Sequence, residues 1–82
     1  MKDVSNIVSF LDQLLDDTTV PKNVKAAIAK AKDRLTTASS EDEAVAGAIY
    51  SLDEVSNDIN LPMHARTMIW NVLSELEAVK MR

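Results

Sequence analysis

The chain has 82 residues with no cysteine, one glycine, two prolines, one histidine and a single Trp, Tyr and Phe. Each scarcity excludes something. Without cysteine there is no disulfide framework and no thiolate metal site, so a short domain must stand on packing alone, which suits a reducing compartment. The lone Gly47 lies inside a helical pattern, so there is no glycine-rich phosphate loop. No long apolar run exists: the longest nearly apolar stretch, Ala44 to Tyr50, is seven residues, and Met1–Asn6 lacks a signal peptide's apolar segment. The expectation is a cytoplasmic chain with no membrane contact.

A chain of this size buries only about 60 % of its unfolded surface, so most apolar residues are needed for core and little volume remains for a substrate cleft. Nine Lys+Arg against 13 Asp+Glu give a net charge of −4. That balance works against wholesale binding to phosphate backbones or anionic lipid, and leaves a local basic face open.

What is present is helical periodicity. Val4, Ile7, Val8, Leu11, Leu14 and Leu15 recur at three- and four-residue spacing and predict a helix over 3–16. Val24, Ala27, Ile28, Ala31 and Leu35 predict a second over 21–37, opened by Pro21, whose fixed φ and missing N–H suit a first turn. Ser40-Glu41-Asp42-Glu43 reads as a capping box, followed by Val45, Ala48, Ile49, Leu52 and Val55 on one face. Pro62 opens the last helix, with Ala65, Met68, Ile69, Val72, Leu73, Leu76 and Val79 inward. The short connections make consecutive helices antiparallel neighbours.

Offset by 41 residues, the two halves of the chain align without a gap. Leu11 meets Leu52, Asp12 meets Asp53, Asp17 meets Asp58, Pro21 meets Pro62, Lys25 meets Arg66, Ile28 meets Ile69 and Leu35 meets Leu76. The Asp and Pro matches, four residues apart at the same turn of each half, mark a tandem duplication of one αα-hairpin. The fold class is all-α: one domain over 1–82, with repeat halves 1–41 and 42–82, closed as a four-helix bundle. The period also falls in the range of HEAT-type repeats, so a short stack of helix pairs is the alternative.

The turns carry a family resemblance. Asp17-Thr18-Thr19-Val20-Pro21-Lys22-Asn23-Val24-Lys25, Ala48-Ile49-Tyr50-Ser51-Leu52-Asp53-Glu54, Ser56-Asn57-Asp58, Asn60-Leu61-Pro62-Met63-His64-Ala65-Arg66-Thr67 and Ile69-Trp70-Asn71 together resemble the short archaeal proteins of uncharacterised protein family 0147. Ile59 departs from the proline expected there. The resemblance implies an archaeal source and an all-helical fold, and supplies no activity.

Catalysis needs a nucleophile with a positioned base, two carboxylates in different environments, or a metal. His64 is the only imidazole, in a helix's first turn, where a surface position is the bland reading. A bundle di-metal site would want two inward Glu-x-x-His pairs, and Asp53–Asn60 lacks the alternating ligands, central Gly and final Glu of a calcium loop. No catalytic residue, cofactor or metal is expected. A small hydrolase built on His64 and Asp58 is the least favoured reading.

Two charge patterns remain. Asp17 with Lys25, and Asp58 with Arg66, are placed to pair around the turns or to accept from free N–H groups of the following helix. Residues 22–34 carry Lys22, Lys25, Lys30, Lys32 and Arg34 against Asp33, while 41–58 carry six acids and no base, which predicts complementarity along the edge shared by helices two and three. The rival account makes Lys22, Lys25, Lys32 and Arg34 a nucleic-acid face, though that helix has no aromatic to stack on bases.

On helix four Met63, Trp70 and Met81 fall within about 20° of one another, away from the core stripe. Arg66, Leu73 and Glu77 flank this second apolar line, and the repeat equivalent of Trp70 is Ala29, so the fold does not require the ring. On helix three Gly47 costs about 1 kcal/mol of helix propensity unless a close approach offsets it. Together with Ala46 and Tyr50 it marks either a partner surface or relief of crowding between helices. The sequence therefore points to a non-enzymatic interaction module whose partner is a protein or a second copy of itself. The candidate contact residues are Met63, Arg66 and Trp70, with a polar rim of Asn57, Asp58, Asn60 and His64.

Overall fold

The computed structural model describes residues 2–37 and 39–80, and within them every periodic segment is a helix: α1 (Lys2–Asp16), α2 (Lys22–Thr37), α3 (Glu41–Val55) and α4 (Met63–Lys80). Met81 and the side chain of Val4 lie outside the described part. Pro21 and Pro62 open their helices as expected, each carbonyl accepting from the N–H four residues on, Lys25 and Arg66, at 2.9 Å. Ser40 has the extended backbone of an N-cap, and its Oγ accepts from the Glu43 N–H at 3.2 Å. The reciprocal half of the capping box is replaced: the Glu43 carboxylate accepts from the Ser39 hydroxyl at 3.0 Å.

The helices form a ring in chain order. Each packs on its sequence neighbours, α1 packs on α4, and no pair makes a close backbone approach across the diagonal among the described residues. The α1–α4 contact decides against stacked HEAT-like pairs and for a closed bundle, because two hairpins with no further repeats hide more apolar surface by closing on each other. Ile7, Leu11, Leu14, Val24, Ile28, Leu52, Ile69, Val72 and Leu76 are wholly buried in one core.

The repeat is symmetric in sequence register but not in packing. Rotating one hairpin onto the other exchanges the α2–α3 seam with the α4–α1 seam, yet among the described residues α2–α3 is the most extensively packed pair and α1–α4 the least. Side-chain size explains the difference. Ala27 and Ser51 line the α2–α3 seam, where their repeat equivalents in the other seam are Met68 and Phe10, and the buried Ala31 and Ala48 correspond to Val72 and Ile7. Small side chains let two backbones approach closely, whereas large ones hold them apart. Gly47 belongs to the tight seam: a Cβ there would stand 3.0 Å from the Cδ of Arg34. Its missing side chain relieves crowding, the second of its two expected roles.

The expected ion pairing between α2 and α3 is absent among the described residues. Lys32 of α2 turns the other way, to Asp12 of α1 at 2.5 Å. With side chains 38 % and 49 % exposed, this pair orients α1 more than it stabilises it.

Candidate functional site

Up-down-up-down connectivity brings the α1–α2 turn (17–21) and the α3–α4 turn (56–62) to one end of the bundle, and the duplication makes them copies. In each, an aspartate folds its own loop: Asp17 Oδ1 accepts from the Thr19 N–H, and Asp58 Oδ1 from the Asn60 N–H, both at 2.8 Å. The Asp17 carbonyl accepts from Val20 N–H at 3.2 Å, the Asp58 carbonyl from Leu61 N–H at 3.1 Å, and Val20 and Leu61 are both buried beneath the turns.

The second carboxylate oxygen reaches across to the other hairpin. Asp17 Oδ2 lies 2.7 Å from His64 Nε2, and Asp58 Oδ2 accepts from Asn23 Nδ2 at 2.8 Å. Asn23 and His64 are themselves repeat equivalents. The two turns therefore clasp each other by a reciprocal pair of hydrogen bonds related by the internal two-fold. This corrects the expectation that each aspartate pairs with the basic residue of its own hairpin or accepts from free N–H groups of the following helix, since the N–H groups it holds, Thr19 and Asn60, belong to its own turn. Lys25 takes no part in it, and Arg66 Nη2 donates to the Asp58 backbone carbonyl at 3.0 Å while its Nε is buried without a partner.

The clasp sets the acid-base behaviour of its carboxylates. The Thr19 hydroxyl, then the His64 ring and the Thr19 N–H, stabilise the charged form of Asp17 and lower its pKa from 3.8 to about 2. Asp58 is lowered for the same reason, by the Asn23 side chain and then the Asn60 N–H. A folded-state pKa below the unfolded one contributes stability above the unfolded value, and that contribution is lost as pH falls through the folded one. The stability difference between wild type and Asp17→Asn should therefore shrink between about pH 5 and about pH 2. Urea midpoints of both chains across that range would measure it. A constant difference would mean that Asp17 accepts no such bonds in solution.

His64 and Asp58, paired in the hydrolase reading, are not partners. The Thr19 hydroxyl, 3.5 Å from His64, approaches the same Nε2 that Asp17 holds, and it donates to Asp17. A relay would place nucleophile and orienting carboxylate on opposite ring nitrogens. Asp17, Thr19 and His64 share one hydrogen-bond network that joins the two turns.

The other candidates divide by exposure. Asn57, Asn60 and His64 are exposed around the clasp, whereas Asp58 and Arg66 are half-buried within it. On α4, Met63 is 69 % and Trp70 51 % exposed, one helical line apart from the buried stripe of Ala65, Ile69, Val72, Leu76 and Val79. Ile59, at the tip of the second turn, is 91 % exposed. The basic set is broken up, with Lys32 held by Asp12 and Lys25 half-buried. Sequence reading missed Asn23 and Thr19. The signal for Asn23 was available, since Asn23 and His64 each follow an aligned aspartate by six residues.

Fold and turns together define a class: a closed bundle of two copies of one helical hairpin, clasped at a shared end. The chain belongs to UPF0147, an uncharacterised protein family whose model matches residues 1–79. It is 46 % identical over 78 residues to the UPF0147 protein of Methanocaldococcus jannaschii, covering 94 % of this chain and 84 % of that one. To the UPF0147 protein of Thermococcus kodakarensis it is 46 % identical over 80 residues, covering 94 % and 95 %. Two crystal structures share the fold. The protein of unknown function MMP1188 superposes with a TM-score of 0.86 at 45 % identity, covering 92 % of this chain and 86 % of that one. The UPF0147 protein of Thermoplasma acidophilum has a TM-score of 0.87 at 35 % identity, covering 95 % and 93 %. No helix among the described residues is long and apolar enough to cross a membrane.

Proposed function

We propose that this chain is a non-enzymatic, cytoplasmic interaction module that binds a protein through the outer line of α4, with the exposed residues of the clasped turns as its polar border. One observation carries the reading: Met63 and Trp70 stand largely exposed on one line of a helix whose opposite face is fully buried. A half-exposed Trp keeps a large apolar surface in water, and the equivalent position of the first hairpin does without it as Ala29. Trp and Arg are the side chains that most often anchor protein interfaces, and Arg66 lies between these two apolar residues in sequence.

The test is capture from an archaeal lysate by immobilised wild type and by Trp70→Ala. A protein retained by wild type and lost with the variant is the expected result. Identical sets of retained proteins would overturn the reading.

A further inference from the structure

The outer face of α4 carries more than two apolar residues. Met63, Arg66, Trp70, Leu73, Glu77 and Lys80 follow one another at spacings of three, four, three, four and three. That is the a/d rhythm of a seam between two helices, and it is displaced around α4 from the stripe that packs in the bundle. Met63, Trp70, Glu77 and Lys80 are exposed on it, while Arg66 and Leu73 are half-buried. The equivalent positions of α2 are Lys22, Lys25, Ala29, Lys32 and Thr36, with no apolar anchor larger than alanine, so the second seam is a property of α4 and not of the hairpin.

Its charges are arranged as a mirror. Arg66 and Glu77 lie equally far on either side of the midpoint between Trp70 and Leu73. An antiparallel copy of α4 centred on that midpoint sets Arg66 against Glu77 of the second copy at both ends and Trp70 against Leu73 at the centre. The Lys80 stem then covers Met63. A parallel copy sets Arg66 against Arg66 and Glu77 against Glu77, and like charges held together disfavour it.

We infer that the chain pairs with a second copy of itself through an antiparallel, two-fold α4–α4 seam centred between Trp70 and Leu73. The inference rests on the interaction reading above and names its partner. Such a contact is isologous: one patch, complementary to itself, makes the whole interface.

Sedimentation equilibrium of the full chain from about 10 μM to about 1 mM, a span over which weak dimers dissociate and form, tests it. Wild type should approach twice the chain mass at the upper end. Trp70→Ala should weaken pairing roughly 30-fold, the loss typical of truncating an anchoring Trp. Glu77→Arg, which places like charges together at both ends, should weaken it on the order of tenfold. Arg66→Glu should do the same, and the two charge variants mixed in equal amounts should pair with each other. Glu77 is exposed and makes no side-chain hydrogen bond or ion pair among the described residues, so Glu77→Arg remains informative even where Arg66→Glu disturbs the second turn. A wild type that stays monomeric at every concentration overturns self-pairing and leaves the Trp70-dependent capture experiment to judge the interaction reading separately. A dimer indifferent to Glu77→Arg also overturns it, because the antiparallel register is what sets that charge against Arg66.

Discussion

Exchanging two residues at one repeat position, Ile7→Ala together with Ala48→Ile, is expected to cost roughly 3–8 kcal/mol of stability with no change in composition. Ile7 and Ala48 are aligned by the duplication and both are wholly buried, so a reading by symmetry alone would treat them as interchangeable. The seams differ. Ile7→Ala empties volume on the wide α1–α4 side, a loss of about 2–5 kcal/mol. Ala48→Ile forces bulk into the close α2–α3 approach, at about 1–3 kcal/mol. The two helices make no close backbone approach among the described residues, yet both sites face one core, so the sum of the single costs is the reference against which the double variant is read. Domains of this kind have only about 5–15 kcal/mol in total, so the double variant should lie at the edge of unfolding. Thermal melts of both single variants and the double variant would measure this. A double variant near wild type would show that these side chains do not set the seam widths.

The second large effect belongs to the clasped end. Leu61→Ala should cost about 2–5 kcal/mol, since Leu61 is 5 % exposed and plugs the second turn beneath the Asp58 loop. Leu61→Val should cost less than about 1.5 kcal/mol, because Val20 fills the equivalent place under the first turn. Here the repeat does predict what is tolerated, since both turns have the same hydrogen-bond frame. Urea midpoints with an unchanged slope would establish both values, and an equal loss for the two variants would refute the equivalence of the turns.

The contrast shows where the sequence is sufficient and where it is not. Helix positions were legible because three- and four-residue spacing, the prolines and Ser40 all act locally. The bundle was legible because the connections are short and two hairpins must hide two faces. The cross-turn bonds were not, since Asp17 with Lys25 and Asp17 with His64 are equally sensible chemistry until the ends of the hairpins are known to meet. The fate of the α2 charges was hidden for the same reason: Lys32 has acids to either side, and only the rotation of α2 about its axis sends it to Asp12. Exposure of Met63 and Trp70 required knowing which flank of α4 a neighbour covers. The function was not legible, because exposed side chains on a small bundle form no sequence motif that names an activity or a partner.

The unequal seams bear on how the chain comes together and apart. Three seams join helices adjacent in sequence, and each forms by folding over a short connection. The α1–α4 seam alone joins the two ends of the chain, so it carries the greatest entropic cost of closure. Among the described residues it is also the sparsest. The structure is thus a zipper of three local steps and one long-range closure, and the Asp17–His64 bond latches that last step. In the reverse direction, opening begins where least packing is lost, by release of α1, and the α2–α3 hairpin with its alanine seam is the last structure to part.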